Sequence, residues 1–185
     1  MALTATVYRL QIQLSDVDRG VYQALDLRMA QHPSETARYL LTRTLAYALS
    51  FEEGLAFSKG GLSAVDEPPL SLRDPTGRWL AWIEIGMPSA DRLHKATKQA
   101  PRVELYTTQE LTPLLRELES RSIHRQAEIA VWQIEANFVA GLEAKLQKNL
   151  NFELTRSDGQ LWANIDGDAI EGAIRRRSLD PANPA

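Results

Sequence analysis

The stretch from Arg78 to Thr107 constrains this chain most, because there an apolar strand carries a carboxylate. Strand alternation sets Trp79, Ala81, Ile83 and Ile85 on one face and Leu80, Trp82, Glu84 and Gly86 on the other. Both faces are apolar apart from Glu84, the pattern of a central strand covered by helices on both sides. An ionised side chain in such a strand has to be paired, metal-bound or placed at the open end. Gly86 and Pro88 stop the strand, so Glu84 is expected near its carboxyl end, where ligands sit in open α/β sheets.

Around this centre the period of the sequence changes several times. Thr4 to Leu14 alternates apolar and polar residues, and after a turn at Asp16, Asp18 and Gly20 the alternation resumes from Val21 to Arg28, which predicts an N-terminal hairpin. Pro33, Ser34 as cap and Glu35 then suit the start of a helix running to about Phe51. Leu55 to Ser58 is a short strand ended by Lys59, Gly60 and Gly61, and Ser63 to Pro75 is rich in acids and prolines and reads as an irregular excursion. After the central strand, Ser89 caps a short helix that stops at Pro101. Strand, helix, strand and helix follow at Val103 to Thr107, Leu111 to Glu119, Glu128 to Ile134 and Asn137 to Leu146. Phe152 to Ile165 forms a C-terminal hairpin about Ser157, Asp158 and Gly159, and Gly172 to Arg176 adds an edge strand. The expectation is a single α/β domain over residues 1–177, a mixed central sheet flanked by helices with β-hairpins at both ends, and a loose tail over 178–185.

Composition narrows the chemistry. The chain has 185 residues, no cysteine, and no apolar run near the roughly 20 residues that span a bilayer. Disulfides, thiolate catalysis and cysteine-ligated metals are therefore excluded, and the cytoplasm is the default compartment with no membrane partner. A formal charge of -3 argues against a general nucleic-acid coat but leaves room for a local basic groove. The chain has no Walker loop, no G-x-G-x-x-G and no G-x-S-x-G elbow, and the three histidines, His32, His94 and His124, lack the i, i+4 spacing of a zinc helix. The run Arg175, Arg176, Arg177 suits a solvated charge cluster, and the four tryptophans fall in strands and suit a core.

The remaining constellation joins Asp66 and Glu67 in a loop, Glu84 on the strand, and Lys95 and Gln99 one helical turn apart. Two carboxylates from different elements can hold a hard divalent ion such as Mg²⁺ or Mn²⁺, and a lysine nearby can orient water or stabilise phosphoryl charge, the kit of metal-assisted phosphodiester hydrolysis. Each residue also has an ordinary reading: Asp66 and Glu67 as a turn before Pro68, Lys95 as a surface pair with Asp91, Glu84 as the partner of an arginine such as Arg38 or Arg43, and Glu35 as a helix-dipole partner.

Five segments carry a family resemblance: MALTATVY at the start, HPSET at 32–36, DEP at 66–68, WIEIG at 82–86 and HKATKQA at 94–100. Together, over Met1 to about Ile174, they resemble the YaeQ family of small bacterial proteins. That resemblance implies a restriction-endonuclease-like variant of the PD-(D/E)xK nuclease fold, with metal ligands Asp66 and Glu84, a catalytic lysine, and Gln99 and Glu35 as further site residues. The usual pattern asks for the lysine two residues after the strand acid, where this chain has Gly86. Lys95, or Lys98 three residues on, stands in for it, or the chemistry has been lost. The resemblance thus implies a Mg²⁺-dependent phosphodiester hydrolase with a nucleic-acid substrate, or an inactive descendant. The alternative is a non-catalytic module that binds protein or nucleic acid.

Overall fold

The computed structural model describes residues 5–58, 66–121 and 123–180. The strand-ending Lys59, Gly60 and Gly61, the start of the excursion at Ser63, and the tail prolines Pro181 and Pro184 lie outside the described residues. In chain order the elements are β1 (Thr6–Asp16), β2 (Val21–Gln31), α1 (Ala37–Leu49), β3 (Ala56–Phe57), β4 (Leu70–Arg73), β5 (Trp79–Ile85) and α2 (Ala90–Gln99). Then come β6 (Arg102–Thr107), α3 (Thr112–Ser120), β7 (Ala130–Ile134), α4 (Ala136–Ala144), β8 (Asn149–Ser157), β9 (Gln160–Ile165) and β10 (Asp168–Arg177). Packing divides the chain into two compact units, Met1–Phe51 with Ile134–Ile174, and Glu52–Gln133 with Arg175–Ala185.

The first unit holds strands in the order β2, β1, β8, β9, β10. The N-terminal hairpin forms as its alternation predicts, with Leu10 opposite Leu27 and Ile12 opposite Leu25. β8 runs parallel to β1, placing Leu150 beside Leu10 and Phe152 beside Ile12, and β9 and β10 continue antiparallel. Leu10, Ile12, Leu27, Met29, Leu154 and Leu161 are buried on one face of these strands, as are Leu41 and Leu45 of α1 and Phe138 of α4. α4 comes so close to β10 that a methyl group on Gly172 would meet Phe138 Cβ at 2.5 Å. The cap of α1 is Thr36, whose hydroxyl accepts from Tyr39 N–H, and not Ser34, whose backbone and hydroxyl bond to the His32 ring. Thr36 wins because a cap must sit directly before the first helical residue to reach the orphan amides two or three positions on.

The second unit holds strands in the order β7, β6, β5, β4, β3. β5, β6 and β7 are parallel and connected through α2 and α3, so their carboxyl ends share one end of the sheet. β4 pairs antiparallel with β5 inside the stretch expected to be irregular; its Leu-Ser-Leu alternation is too short to stand out between prolines. Trp82, Leu93, Ala96, Val103, Leu105, Leu114, Val131 and Leu179 form one buried cluster. Leu179 is therefore a core residue, and its carbonyl accepts from Gln126 Nε2 at 2.7 Å, which ties down the chain just where a loose tail was expected to begin.

Candidate functional site

Residues 81–85 of β5 are all buried, and Glu84, the next to last residue of the strand, is 1 % exposed. Trp82 and Glu84 point the same way, two residues apart. The indole N–H of Trp82 donates to Glu84 Oε1 at 2.6 Å. The charge on the carboxylate is met by Arg92 from the first turns of α2, whose Nε lies 2.7 Å from the same oxygen. Ser89 sets this geometry: its hydroxyl caps the helix on Arg92 N–H, so α2 starts immediately after the strand and swings residue 92 over the strand end. The partner of Glu84 is therefore neither Arg38, which pairs with Glu143, nor Arg43, which pairs with Glu35.

Arg92 makes a second link, donating from Nη2 to the main-chain carbonyl of Glu67 at 2.9 Å. One helical turn on, Lys95 Nζ pairs with the Asp66 carboxylate, 29 residues away in sequence. The hydrogen bond from Lys95 and its charge hold Asp66 below the usual carboxylate range. Lys95 thus faces Asp66 and not Asp91, which pairs with Arg121. Arg92 thus links the strand acid to the Asp66–Glu67 segment, and Lys95, one turn further along α2, reaches Asp66.

Gln99 and Lys98 are exposed near the end of α2. Glu35 belongs to the first unit, where its carboxylate lies 2.9 Å from Arg43 Nη2 and accepts from His32 N–H at 3.1 Å. Burial pushes the Glu35 carboxyl above its ordinary value, against the pull of Arg43. Gly86, where the motif lysine belongs, has φ +84°, a left-handed conformation that glycine adopts freely and a lysine does not, and its N–H donates to the Tyr106 carbonyl at 2.8 Å. The departure from the motif is thus written into the backbone.

A hard divalent ion needs several oxygen ligands with lone pairs to give. Here Glu84 Oε1 already takes a guanidinium and an indole N–H, and Asp66 takes an ammonium. Among the described residues no group of three or more His, Asp or Glu side chains gathers to hold a metal. As arranged, the residues do not fit an ion at the Asp66–Glu84 position. Beside the cluster, Gly54, Phe57, Ser58, Glu67, Arg73 and Trp79 are among the residues lining an open cleft of about 430 Å³. Arg73 lies over the Trp79 ring, 3.2 Å from its centroid, and also pairs with Glu67 at 3.4 Å. Sequence reasoning missed Arg92 and Arg73. The available signal for Arg92 was its place three residues before Lys95, on the same helical face and in the turn nearest the strand end.

These observations define a mixed α/β protein whose second unit presents a buried strand acid, answered by Arg92 of the helix that follows. The family model described as YaeQ protein matches residues 1–173, and the chain belongs to the YaeQ family. It is 33 % identical over 172 residues to the YaeQ protein of Escherichia coli (strain K12), an alignment covering 92 % of this chain and 94 % of that one. The crystal structure of YaeQ from Xanthomonas axonopodis pv. citri superposes with a TM-score of 0.85 at 33 % identity, covering 95 % of this chain and 99 % of the other. That of YaeQ from Pseudomonas syringae superposes with a TM-score of 0.83 at 29 % identity, covering 93 % and 95 %. Among the described residues no helix is long and apolar enough to cross a membrane.

Proposed function

We propose that the protein is a non-catalytic binding module on a nuclease-like frame, with a short or structured stretch of nucleic acid as its ligand. The observation that carries this reading is the internal neutralisation of Glu84: a carboxylate that takes Arg92 and Trp82 from its own chain is a structural anchor for α2. On the anchored helix Arg92 and Lys95 are held by Glu84 and Asp66, and Lys98 is the exposed cation that a phosphate would meet, on a chain of net charge -3. Phosphate contacts of this kind give salt-dependent affinity without cleavage.

A second reading rests on the contact between Lys95 and Asp66 beside the Glu84–Arg92 pair. This is the set of residues a Mg²⁺- or Mn²⁺-dependent phosphodiester hydrolase of the restriction-endonuclease-like type would use, once Arg92 had been displaced from the strand acid. One experiment separates the two. Purified protein is mixed with a labelled pool of short single-stranded and hairpin oligonucleotides, in chelator and in Mg²⁺ or Mn²⁺, and both anisotropy and fragment length are followed. The binding module gives a salt-dependent rise in anisotropy in chelator, lost on Lys98→Ala with Lys95→Ala, and intact oligonucleotide throughout. Metal-dependent cutting that disappears in Glu84→Gln would establish the hydrolase instead, and no binding in any condition would leave the nucleic-acid assignment without support.

A further inference from the structure

The outer strand of the first unit has a feature that neither reading uses. β2 stands at the end of the strand order, and its eleven residues pair with β1 in one unbroken register, with no bulge. Edge strands are normally blunted by shortness, proline, lysine or a bulge. β3, at the end of the other unit's order, is two residues long. β2, with the sequence VYQALDLRMAQ, is long and has no proline, lysine or bulge, and its two charges, Asp26 and Arg28, are of opposite sign.

The direction of its free groups follows from β1. Arg9 N–H donates to the Lys148 carbonyl and Val17 N–H to the Arg156 carbonyl, so odd-numbered residues there turn their backbone towards β8 and even-numbered ones towards β2. The register places Leu10 opposite Leu27 and Ile12 opposite Leu25. Odd-numbered residues of β2 therefore bond to β1, and the N–H and C=O groups of Tyr22, Ala24, Asp26, Arg28 and Ala30 face outward. The Ala24 and Ala30 carbonyls receive contacts of 3.4 Å from Gln23 Nε2 and Arg43 Nη2, and each keeps a second lone pair.

We infer that β2 pairs antiparallel with β2 of a second copy of this chain, about a two-fold axis through Leu27. That centre makes Asp26 of each copy the hydrogen-bonded neighbour of Arg28 in the other, and Ala24 the neighbour of Ala30. It also sets Leu25 opposite Met29 on the buried face, where all three apolar residues of this strand segment lie. Cross-strand pairs of opposite charge and of two apolar residues are the ones that stabilise a ladder. Moving the axis by one residue, to Asp26 or Arg28, puts like charges face to face. Asp26 already pairs with Arg9 at 2.5 Å, so the arginine of the second copy completes a carboxylate held between two guanidinium groups.

The test is the mass of the full chain in solution by size exclusion with light scattering at micromolar concentration, for the wild type and two charge reversals. The wild type is expected at twice the 20.7 kDa of one chain. Asp26→Arg sets two arginines opposite one another and Arg28→Asp two aspartates, and each alone is expected to halve the mass. Mixed in equal amounts, the two variants face each other with every pair opposite in sign, and the dimer returns. Circular dichroism of each variant confirms that the fold survives. A monomeric wild type, a dimer indifferent to both reversals, or a mixture that stays monomeric would each overturn the inference.

Discussion

Replacing Arg92 by alanine tests whether the strand acid is a structural anchor. The Glu84 side chain is 2 % exposed and that of Arg92 26 %, so the pair is buried on the acid's side and opens to water on the other. At an effective dielectric of ~20, unit charges about 4 Å apart attract by about 4 kcal/mol. Removing one partner of a buried pair costs about 3–5 kcal/mol, because it leaves the other charge without compensation. The partial exposure of Arg92 points to the lower end, about 3 kcal/mol, or a fall in melting temperature of roughly 6–12 °C for a chain of this size. Urea unfolding is followed by tryptophan fluorescence, to which Trp82, bonded to Glu84, contributes as one of four tryptophans. Arg92→Lys keeps the charge and sits between wild type and Arg92→Ala. The double change Glu84→Gln with Arg92→Met removes both charges and recovers most of the loss. An Arg92→Ala protein within about 0.5 kcal/mol of wild type at neutral pH, the usual range of a surface change, would refute the anchor.

Gly86→Lys restores the motif lysine by sequence, but at φ +84° it should cost about 1–2 kcal/mol in a urea titration and confer no cleavage of oligonucleotides. Thr36→Ala should lower stability by about 1 kcal/mol through loss of the α1 cap, measured the same way, whereas Ser34→Ala should change it little. Glu35 and Asp16 both titrate above their ordinary values in the folded chain, chiefly because burial penalises the charge. The stability they contribute is full below their unfolded pKa values and is lost as pH rises through the raised folded ones. Lowering pH from neutral into that window should therefore raise the unfolding midpoint relative to an Asp16→Asn variant. The exposed, paired Asp26, Asp66 and Asp168 titrate below the ordinary range, and their opposite contributions disappear only at lower pH.

Much of the fold was legible because periodicity survives burial. The N-terminal hairpin, β5 with its two apolar faces, the Ser89 cap and the C-terminal hairpin all carry their signals locally. β4 was missed because four residues between prolines hold too little pattern to separate strand from turn. Leu179 was missed because docking of a terminal segment depends on a groove that no local pattern announces. At the site, the position of Glu84 at the strand end followed from Gly86 and Pro88. The identity of its partner did not follow. Arg38, Arg43 and Arg92 are equivalent as residue types, and what separates Arg92 is its place in the first turn of the helix that follows the strand.

Glu84 is the point on which the account turns, and titrating Mn²⁺ into the purified protein while recording proton relaxation of the Trp82 indole resonance examines it most directly. If Arg92 holds the strand acid, the resonance keeps its width throughout and Glu84→Gln behaves like wild type. Saturable broadening of that resonance, absent in Glu84→Gln, would show that a metal ion takes the place assigned to Arg92.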